Sequence, residues 1–305
     1  MSSPATKGQW VDLIDKAVTK FFADEYKALP DRLAELFSMQ SSSDAFEKWS
    51  AGGALPNFTQ FTGTVNYQNM AQGYDVTATH VPFANGIQIE RELYDDDRHG
   101  QWAGRPKSLA RAYHQTRQGH GARLLNNAFS VDTFFYSNSE GVSLCSDSHT
   151  TNAVGVSTTA GFDNLTTASL SATAVEALYI QMRDFRNDVG QKISVMPSKL
   201  VVPVQLYPTA HEIVKSMGKV DSANNNVNFS NGMYEIFDWE YLTDTNNWFM
   251  VDGRTQKDNF IWFDRIPIEF AQAEELDTLI AKWRAYARYS FMWRDWRSIA
   301  GASVS

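Results

Sequence analysis

The sequence predicts an α+β protein on three observations. Apolar residues recur at helical spacing over Gly8–Met39, Pro106–Phe129 and Ser169–Asp188; they alternate over Phe58–Tyr94 and Trp283–Arg297; and short strands are interleaved with a helix between Leu200 and Phe263. A chain of 305 residues, 43% hydrophobic, can bury a sizeable core as one large or two modest domains.

The first helix is carried by Trp10, Leu13, Ile14, Val18, Phe21 and Phe22, and Pro30 opens a shorter run through Leu33 and Leu36. The polar stretch Gln40–Asp44 and the Gly52-Gly53 pair then loosen the chain, so the segment reads as an amphipathic arm. From Phe58 the period changes to two: Phe61, Val65 and Tyr67 lead to a turn at Met70–Gly73, and Tyr74, Val76 and Ala78 continue. This pattern predicts a long hairpin. A two-stranded ribbon is marginal in water on its own, so the hairpin must lie on its own core or on another subunit. Asp95, Asp96 and Asp97, beside Arg98 and His99, read as a solvated turn capping the next helix; a cation site is the sharper alternative.

At 100° per residue, Leu109, Ala112, Tyr113 and Thr116 fall on one side of the next helix, and Lys107, Arg111, His114 and Arg117 form a basic outer stripe. That stripe is either solvated or meets acidic neighbours or packaged nucleic acid. Gly119 and Gly121 cost about 1 kcal/mol each relative to alanine, so a bend or a close backbone contact is expected there. Leu200–Val202 reads as an apolar strand stopped by Pro203, and Pro208 begins a helix to about Met217. Asp221–Asn231 is an exposed loop, and Met233–Phe237, Trp248–Val251 and Phe260–Phe263 complete a mixed sheet. In the last element Trp283, Ala285, Ala287, Tyr289, Phe291 and Trp293 share one face, with Arg284, Tyr286, Arg288 and Arg294 on the other. The aromatic side matches a core face better than a base-stacking platform.

A net charge of −8 does not steer the surface as a whole toward nucleic acid. The start lacks a basic segment followed by an apolar run, and no stretch is apolar enough to span a bilayer; a reducing cytosol is the expected compartment. The lone Cys145 excludes an internal disulfide framework, and the sequons at Asn57, Asn164 and Asn228 carry little meaning there. Cys145 and His149 stand four apart, but nothing nearby orients such a pair as nucleophile and base. His80, His99, His114, His120 and His211 show no metal-ligand spacing, and no glycine-rich loop follows a strand. The expectation is no enzyme, no cofactor and no metal.

From Gly86 to Arg297, GIQIERELYDDDRHG, LARAYHQTRQ through ARLLNNAF, SEGVSLCSDSH, SKLVVPVQLYPTAHEIVKS and SFMWRDWRS occur in an order that resembles the major head (major capsid) proteins of tailed bacteriophages, particularly the Mu-like major head subunit family. The N-terminal 50 residues add almost nothing to the likeness. The resemblance implies the Hong Kong phage-type capsid fold: an N-terminal arm (1–54), an extended hairpin loop (55–94), a peripheral domain (95–163 and 277–305) with spine helix 106–129, and an axial domain (164–276). It implies inter-subunit contacts at Tyr67, Met70, Tyr74, Val76, Phe83, Arg111 and Arg117, and a closing strand with Tyr289, Phe291, Trp293, Asp295, Trp296 and Arg297. The implied partners are further copies in hexamers and pentamers, a portal, a separate scaffold, a cement or decoration protein, and double-stranded DNA held non-specifically on the inner face, with no membrane. The implied location is the virion, after assembly in the bacterial host cytoplasm. Some relatives cross-link through a lysine in the extended loop; Phe58–Tyr94 has none, so no isopeptide bond is expected. An encapsulin-like compartment is the alternative within the fold, and a cysteine-dependent hydrolase the alternative outside it.

Overall fold

The structure is a computed structural model that describes residues 8–65, 67–90, 92, 96, 104–218, 226–275 and 280–304, and for 8–15 and 274–275 the backbone alone. Asp95, Asp97, Arg98 and His99, most of the predicted acidic turn, lie outside the described residues, as do residues 221–225 of the predicted loop. In chain order, α1 (Gly8–Ala28) and α2 (Leu33–Leu36) precede β1 (Ser38–Ser41), β2 (Phe46–Gly52), β3 (Gln72–Thr79) and β4 (Val81–Glu90). Next come α3 (Gly104–Asn126), β5 (Tyr136–Asn138), β6 (Leu165–Thr166), α4 (Ala172–Arg183), β7 (Lys199–Val202) and α5 (Tyr207–Lys215). Then follow β8 (Glu235–Asp238), β9 (Trp248–Val251), α6 (Gln256–Asn259), β10 (Phe260–Glu275), β11 (Ile280–Trp293) and β12 (Ile299–Ala302).

A long sheet in the order β1-β10-β11-β4 forms one layer. Alternation along β11 buries Ala281, Trp283, Ala285, Ala287 and Tyr289, as expected of a half-buried strand. On that face α1 sets Val18 against Ile89, Ala281 and Trp283, and Phe22 against Leu109, Ala110 and Ala285. The β10–β11 register shifts between Asp264 and Glu269, around Pro267, which has no N–H to give to a ladder. The predicted N-terminal helix is shorter than its pattern: it stops at Ala28, and Met39 lies in β1, paired in parallel with β10.

The predicted hairpin over Phe58–Tyr94 is not formed as drawn. β3 pairs with β2, antiparallel from Phe46↔Thr79 to Gly52↔Gln72, while β4 belongs to the long sheet. Only His80 separates β3 from β4. Its Nδ1 lies 2.8 Å from Ser290 Oγ and its Nε2 3.1 Å from Ser42 Oγ, which fixes the corner. The alternating period is the same in both strands, so the sequence pattern joined two segments that enter different sheets, and it overlooked β2, whose buried-side residues are only partly covered.

The second sheet runs β6-β12-β9-β7-β8 and is mixed. Its fully apolar strands β7 and β9 are buried, as their composition predicts. One expectation is overturned here, and one strand is added to the sheet. Phe260–Phe263 begins β10 of the long sheet instead of completing the mixed sheet, and β12 leaves the closing segment to pair with β6 and β9. The added strand rests on Gly301, where a Cβ would meet Cys145 Sγ, Phe129 and Phe249, each at 2.9 Å.

Helix α3 is packed on two sides, which is why its angular pattern misleads. The predicted basic outer stripe faces α1 and the segment after it: Arg111 Nε donates to Glu25 at 2.7 Å, His114 Nε2 lies 2.8 Å from the Pro30 carbonyl, and Lys107 Nζ sits 5.6 Å above the Phe21 ring. Arg117 donates to the Tyr26 hydroxyl and to Asp264 Oδ2, both at 2.9 Å. Thr116, placed with the apolar side, is exposed. The close contact expected at the two glycines is found at Gly121, where a Cβ would fall on the Leu33 side chain and 3.2 Å from Trp239; at Gly119 nothing lies within 4 Å, and the helix runs unbroken through both.

Candidate assembly surface

Between β2 and β3 the described residues of 53–71 form no regular element. The ends are drawn together by the Gly53 N–H, which donates to the Ala71 carbonyl at 2.9 Å; a Cβ on Gly53 would collide with that carbonyl. Beyond this neck Leu55, Phe58, Phe61, Val65, Tyr67 and Met70 are exposed, Phe61 at 70% and Tyr67 at 90%. Their side chains enclose part of a concavity of about 280 Å³ built from the loop alone. From Trp49 to Tyr74 the chain carries no Asp, Glu, Lys or Arg. Burying one such side chain is worth about 1.5–3 kcal/mol, so an exposed, uncharged apolar loop is a candidate interaction site.

The base of this ribbon is held firmly. β3 pairs with β5, the Asp75 N–H donates to Ser139 Oγ at 2.8 Å, Tyr74 and Thr150 share a hydroxyl bond at 2.6 Å, and Asn152 Nδ2 donates to the Gln72 carbonyl at 3.2 Å. Segment 139–152 is pinned in turn. Glu140 Oε1 accepts from the Thr150 N–H at 2.9 Å and lies 3.0 Å from His149 Nδ1, and the buried His149 ring stacks on Trp296 at 4.3 Å and 5°. Asp295 caps the turn after β11 by accepting from the Arg297 N–H, and Arg297 pairs with Asp188 at 2.9 Å with its guanidinium 4.7 Å above Trp296. The SEGVSLCSDSH and WRDWR motifs thus meet beneath the ribbon as structural fasteners. Cys145 is buried, burial pushes its thiol up, and His149 is engaged by Glu140, so the two do not form a nucleophile and its base.

Of the predicted contact residues, Tyr67 and Met70 lie on the exposed loop and Tyr74 at its base. Val76 is fully buried in the chain's own core, Phe83 is partly buried and stacks 4.7 Å from Tyr289, and Arg117, with 12% of its side chain exposed, pairs with Asp264. Val76 points inward because the second half of β3, from Val76 to Ala78, lies on the core. Arg111 remains half exposed beside Glu25. Tyr289, Phe291 and Trp293 are buried on β11, whereas Asp295, Trp296 and Arg297 lie past its end. Leu55, Phe58, Phe61 and Val65 were not singled out as contacts, although the missing charge from Trp49 to Tyr74 is a signal the sequence carries.

Among the described residues no group of three or more His, Cys, Asp or Glu is placed to hold a metal ion, and no helix is long and apolar enough to cross a membrane. The sequon residues Asn164 and Asn228 are buried and hydrogen-bonded: Asn164 Nδ2 donates to the Leu144 and Ile299 carbonyls while its Oδ1 accepts from the Ser146 N–H.

The architecture is that of the shell proteins of tailed phages, the Hong Kong phage-type capsid fold. The mature capsid of bacteriophage PhiM1 is similar with a TM-score of 0.62 at 9% identity, covering 91% of this chain and 88% of that one. The capsid of the native GTA particle gives 0.58 at 13%, with 91% of each chain covered, and the bacteriophage JBD30 capsid 0.55 at 16%, over 70% of this chain and 92% of that one. Residues 73–302 match the model of a family described as phage capsid protein, and the chain belongs to that family. It is a structural major capsid protein. Comparison with curated proteins gives no match.

Proposed function

We propose that copies of this chain close an icosahedral head around the double-stranded DNA of a tailed, Mu-like bacteriophage, as hexamers and pentamers of one subunit. The observation that carries the assembly reading is the loop 53–71, whose apolar side chains are exposed among the described residues. In this reading α1 and the segment after it are the N-terminal arm, the β2–β3 ribbon with its loop is the extended loop over an adjacent subunit, the long sheet with α3 is the peripheral domain, and the second sheet is the axial domain. Repeated interfaces, each weak alone, stabilise a closed shell collectively. The portal, a separate scaffold and a cement protein are the further partners, and DNA meets the inner face without sequence preference. No bond is made or broken, and the subunit reaches the virion from the bacterial cytoplasm.

Co-expression with the neighbouring genes, followed by negative-stain microscopy and sedimentation, tests this. Regular shells or pentameric and hexameric rings are expected; a monodisperse monomer under every condition overturns the reading.

A further inference from the structure

The chain places a glycine directly after an Asn or Asp at Asn85-Gly86, Asn231-Gly232 and Asp252-Gly253. The three glycine amides are used differently. The Gly232 N–H donates to the Val214 carbonyl at 2.8 Å; the Gly253 N–H donates to Ser198 Oγ at 3.0 Å, and Asp252 is fully buried. The Gly86 N–H donates instead to the side chain of the residue before it, Asn85 Oδ1, at 2.8 Å. Both Asn85 and Gly86 are exposed, and β4 is the outer strand of its sheet, paired among the described residues with β11 alone. Backbone groups two residues apart in a strand point the same way, and the Gln88 carbonyl accepts from Arg105, so the Gly86 N–H also faces the open edge and not the ladder. Glycine is required there, because a Cβ would lie 2.9 Å from the Trp283 carbonyl oxygen. No side chain at position 86 therefore shields the amide.

We propose that Asn85 is a self-modification site, at which the Gly86 nitrogen closes on Asn85 Cγ and water reopens the ring to an aspartyl or isoaspartyl residue. The Gly86 nitrogen gives up its proton and bonds to Cγ; the Cγ–Nδ2 bond breaks, and Nδ2 takes up a proton and leaves as ammonia. Water then adds to one of the two carbonyls of the five-membered ring. Breaking the new N–Cγ bond gives aspartate, whereas breaking the original peptide bond gives isoaspartate, whose main chain runs through Cγ. The reaction consumes one water and needs no oxidant or cofactor. The hydrogen bond already holds the nitrogen beside the carbonyl group it attacks, which spares most of the cost of bringing the two together. At Asn231 the same nitrogen is tied to another carbonyl. The isoaspartyl product also has a mechanical consequence. It lengthens the main chain of β4 by one carbon, and strand alternation does not tolerate such an insertion, so Ile87 and Ile89 lose their seats against Val18, Ala281 and Trp283. Helix α1 is thereby loosened from the long sheet in aged subunits.

The test is peptide mapping by mass spectrometry of the purified subunit after prolonged incubation in warm, mildly alkaline buffer made with heavy-oxygen water. The Asn85 peptide is expected to gain the mass of an amide turned acid, with one solvent oxygen, at a rate that rises with pH, while Asn231 stays unmodified. An unmodified Asn85, or one that converts no faster than Asn231, overturns the proposal. Hydrogen exchange across α1 should rise with the isoaspartyl fraction. Asn85→Gln, whose carbonyl is one carbon too far for the five-membered ring, should abolish both the conversion and that rise; an equal rise in the variant overturns the link to α1. Fresh Asn85→Asp protein carries the new charge without the inserted carbon and should keep α1 protected. Loss of protection in it would make charge, and not chain insertion, the cause.

Discussion

The aromatic centre and the ribbon loop are built from the same kinds of side chain and meet opposite fates. In the centre Trp262 stacks 4.9 Å from Tyr289 and 6.0 Å from Phe291, Phe37 and Phe135 close around them, and all five are buried. In the loop Phe58, Phe61 and Tyr67 stand in the open behind a glycine neck. Hydrophobicity alone does not distinguish the two. The difference is what surrounds each: long strands from distant parts of the chain converge on the centre, whereas none of the described residues covers the loop. A core stabilises the subunit, and an exposed apolar loop stabilises only what it joins.

The largest expected effect exposes that difference directly. Phe291→Ala should destabilise the unassembled subunit by about 3–5 kcal/mol, because it opens a cavity among packed rings. Phe58→Ala and Phe61→Ala should each stay within about 0.5 kcal/mol of the wild type in urea unfolding yet sharply reduce the yield of particles. Equal losses of subunit stability at Phe61 and Phe291 would erase the distinction between core and assembly surface.

The glycines of α3 refine it by one methyl group. Gly119→Ala should stabilise by about 1 kcal/mol, since nothing blocks the new carbon and alanine favours the helix. Gly121→Ala, two residues on, should cost about 1–3 kcal/mol, because Leu33 and Trp239 must give way. Thermal or chemical unfolding of the pair decides it; two changes of the same sign would show that packing on this side of the helix is loose.

How far the sequence could lead follows the same division. Helix α3, strand β11 and strands β7 and β9 of the mixed sheet were legible because a long regular period, or a short apolar run, reports burial directly. The β2–β3 pairing was not: Tyr74–Ala78 and Ile87–Ile89 share one period, and only the corner at His80, held by Ser42 and Ser290 from distant segments, assigns them to different sheets. The stripe Lys107–Arg117 was legible as a stripe but not as one paired within the chain, because its partners Glu25, Tyr26 and Asp264 are placed by tertiary contacts. At the candidate surface Tyr67 and Met70, which only the family resemblance singled out, are exposed, whereas Val76 and Phe83 look no different in sequence from residues that do face outward.

His120 carries the comparison into pH. It lies in the aromatic centre, 4.6 Å from Phe83 and 5.3 Å from Phe135, with Nδ1 2.8 Å from the Tyr289 hydroxyl. Burial, with a smaller contribution from Arg123, pushes its pKa from an ordinary 6.5 down to about 4. The folded state therefore favours the neutral ring: the stabilisation is complete above pH 6.5 and is lost as pH falls from there to about 4, where the unfolded chain binds a proton that the folded one resists. Unfolding followed between these limits should show a fall in stability that shrinks in His120→Gln. A fall of the same size in both proteins would place the titrating group elsewhere.

The smallest effect concerns α1, which stands between the two extremes. Val18 and Phe22 are buried beneath it, but Arg111 and Glu25 meet at its outer edge with 58% and 19% of their side chains exposed. An ion pair so open to solvent is screened by salt and opposed by side-chain entropy, so Arg111→Gln and Glu25→Gln in a double-mutant cycle should give a coupling of at most about 1 kcal/mol, declining as salt rises. Val18→Ala should cost more than the whole pair, because a fully buried apolar side chain keeps its contribution in salt. If the ion pair outweighs Val18, the arm is held by charge and not by burial, and the contrast between packed centre and open loop would need a third kind of contact between them.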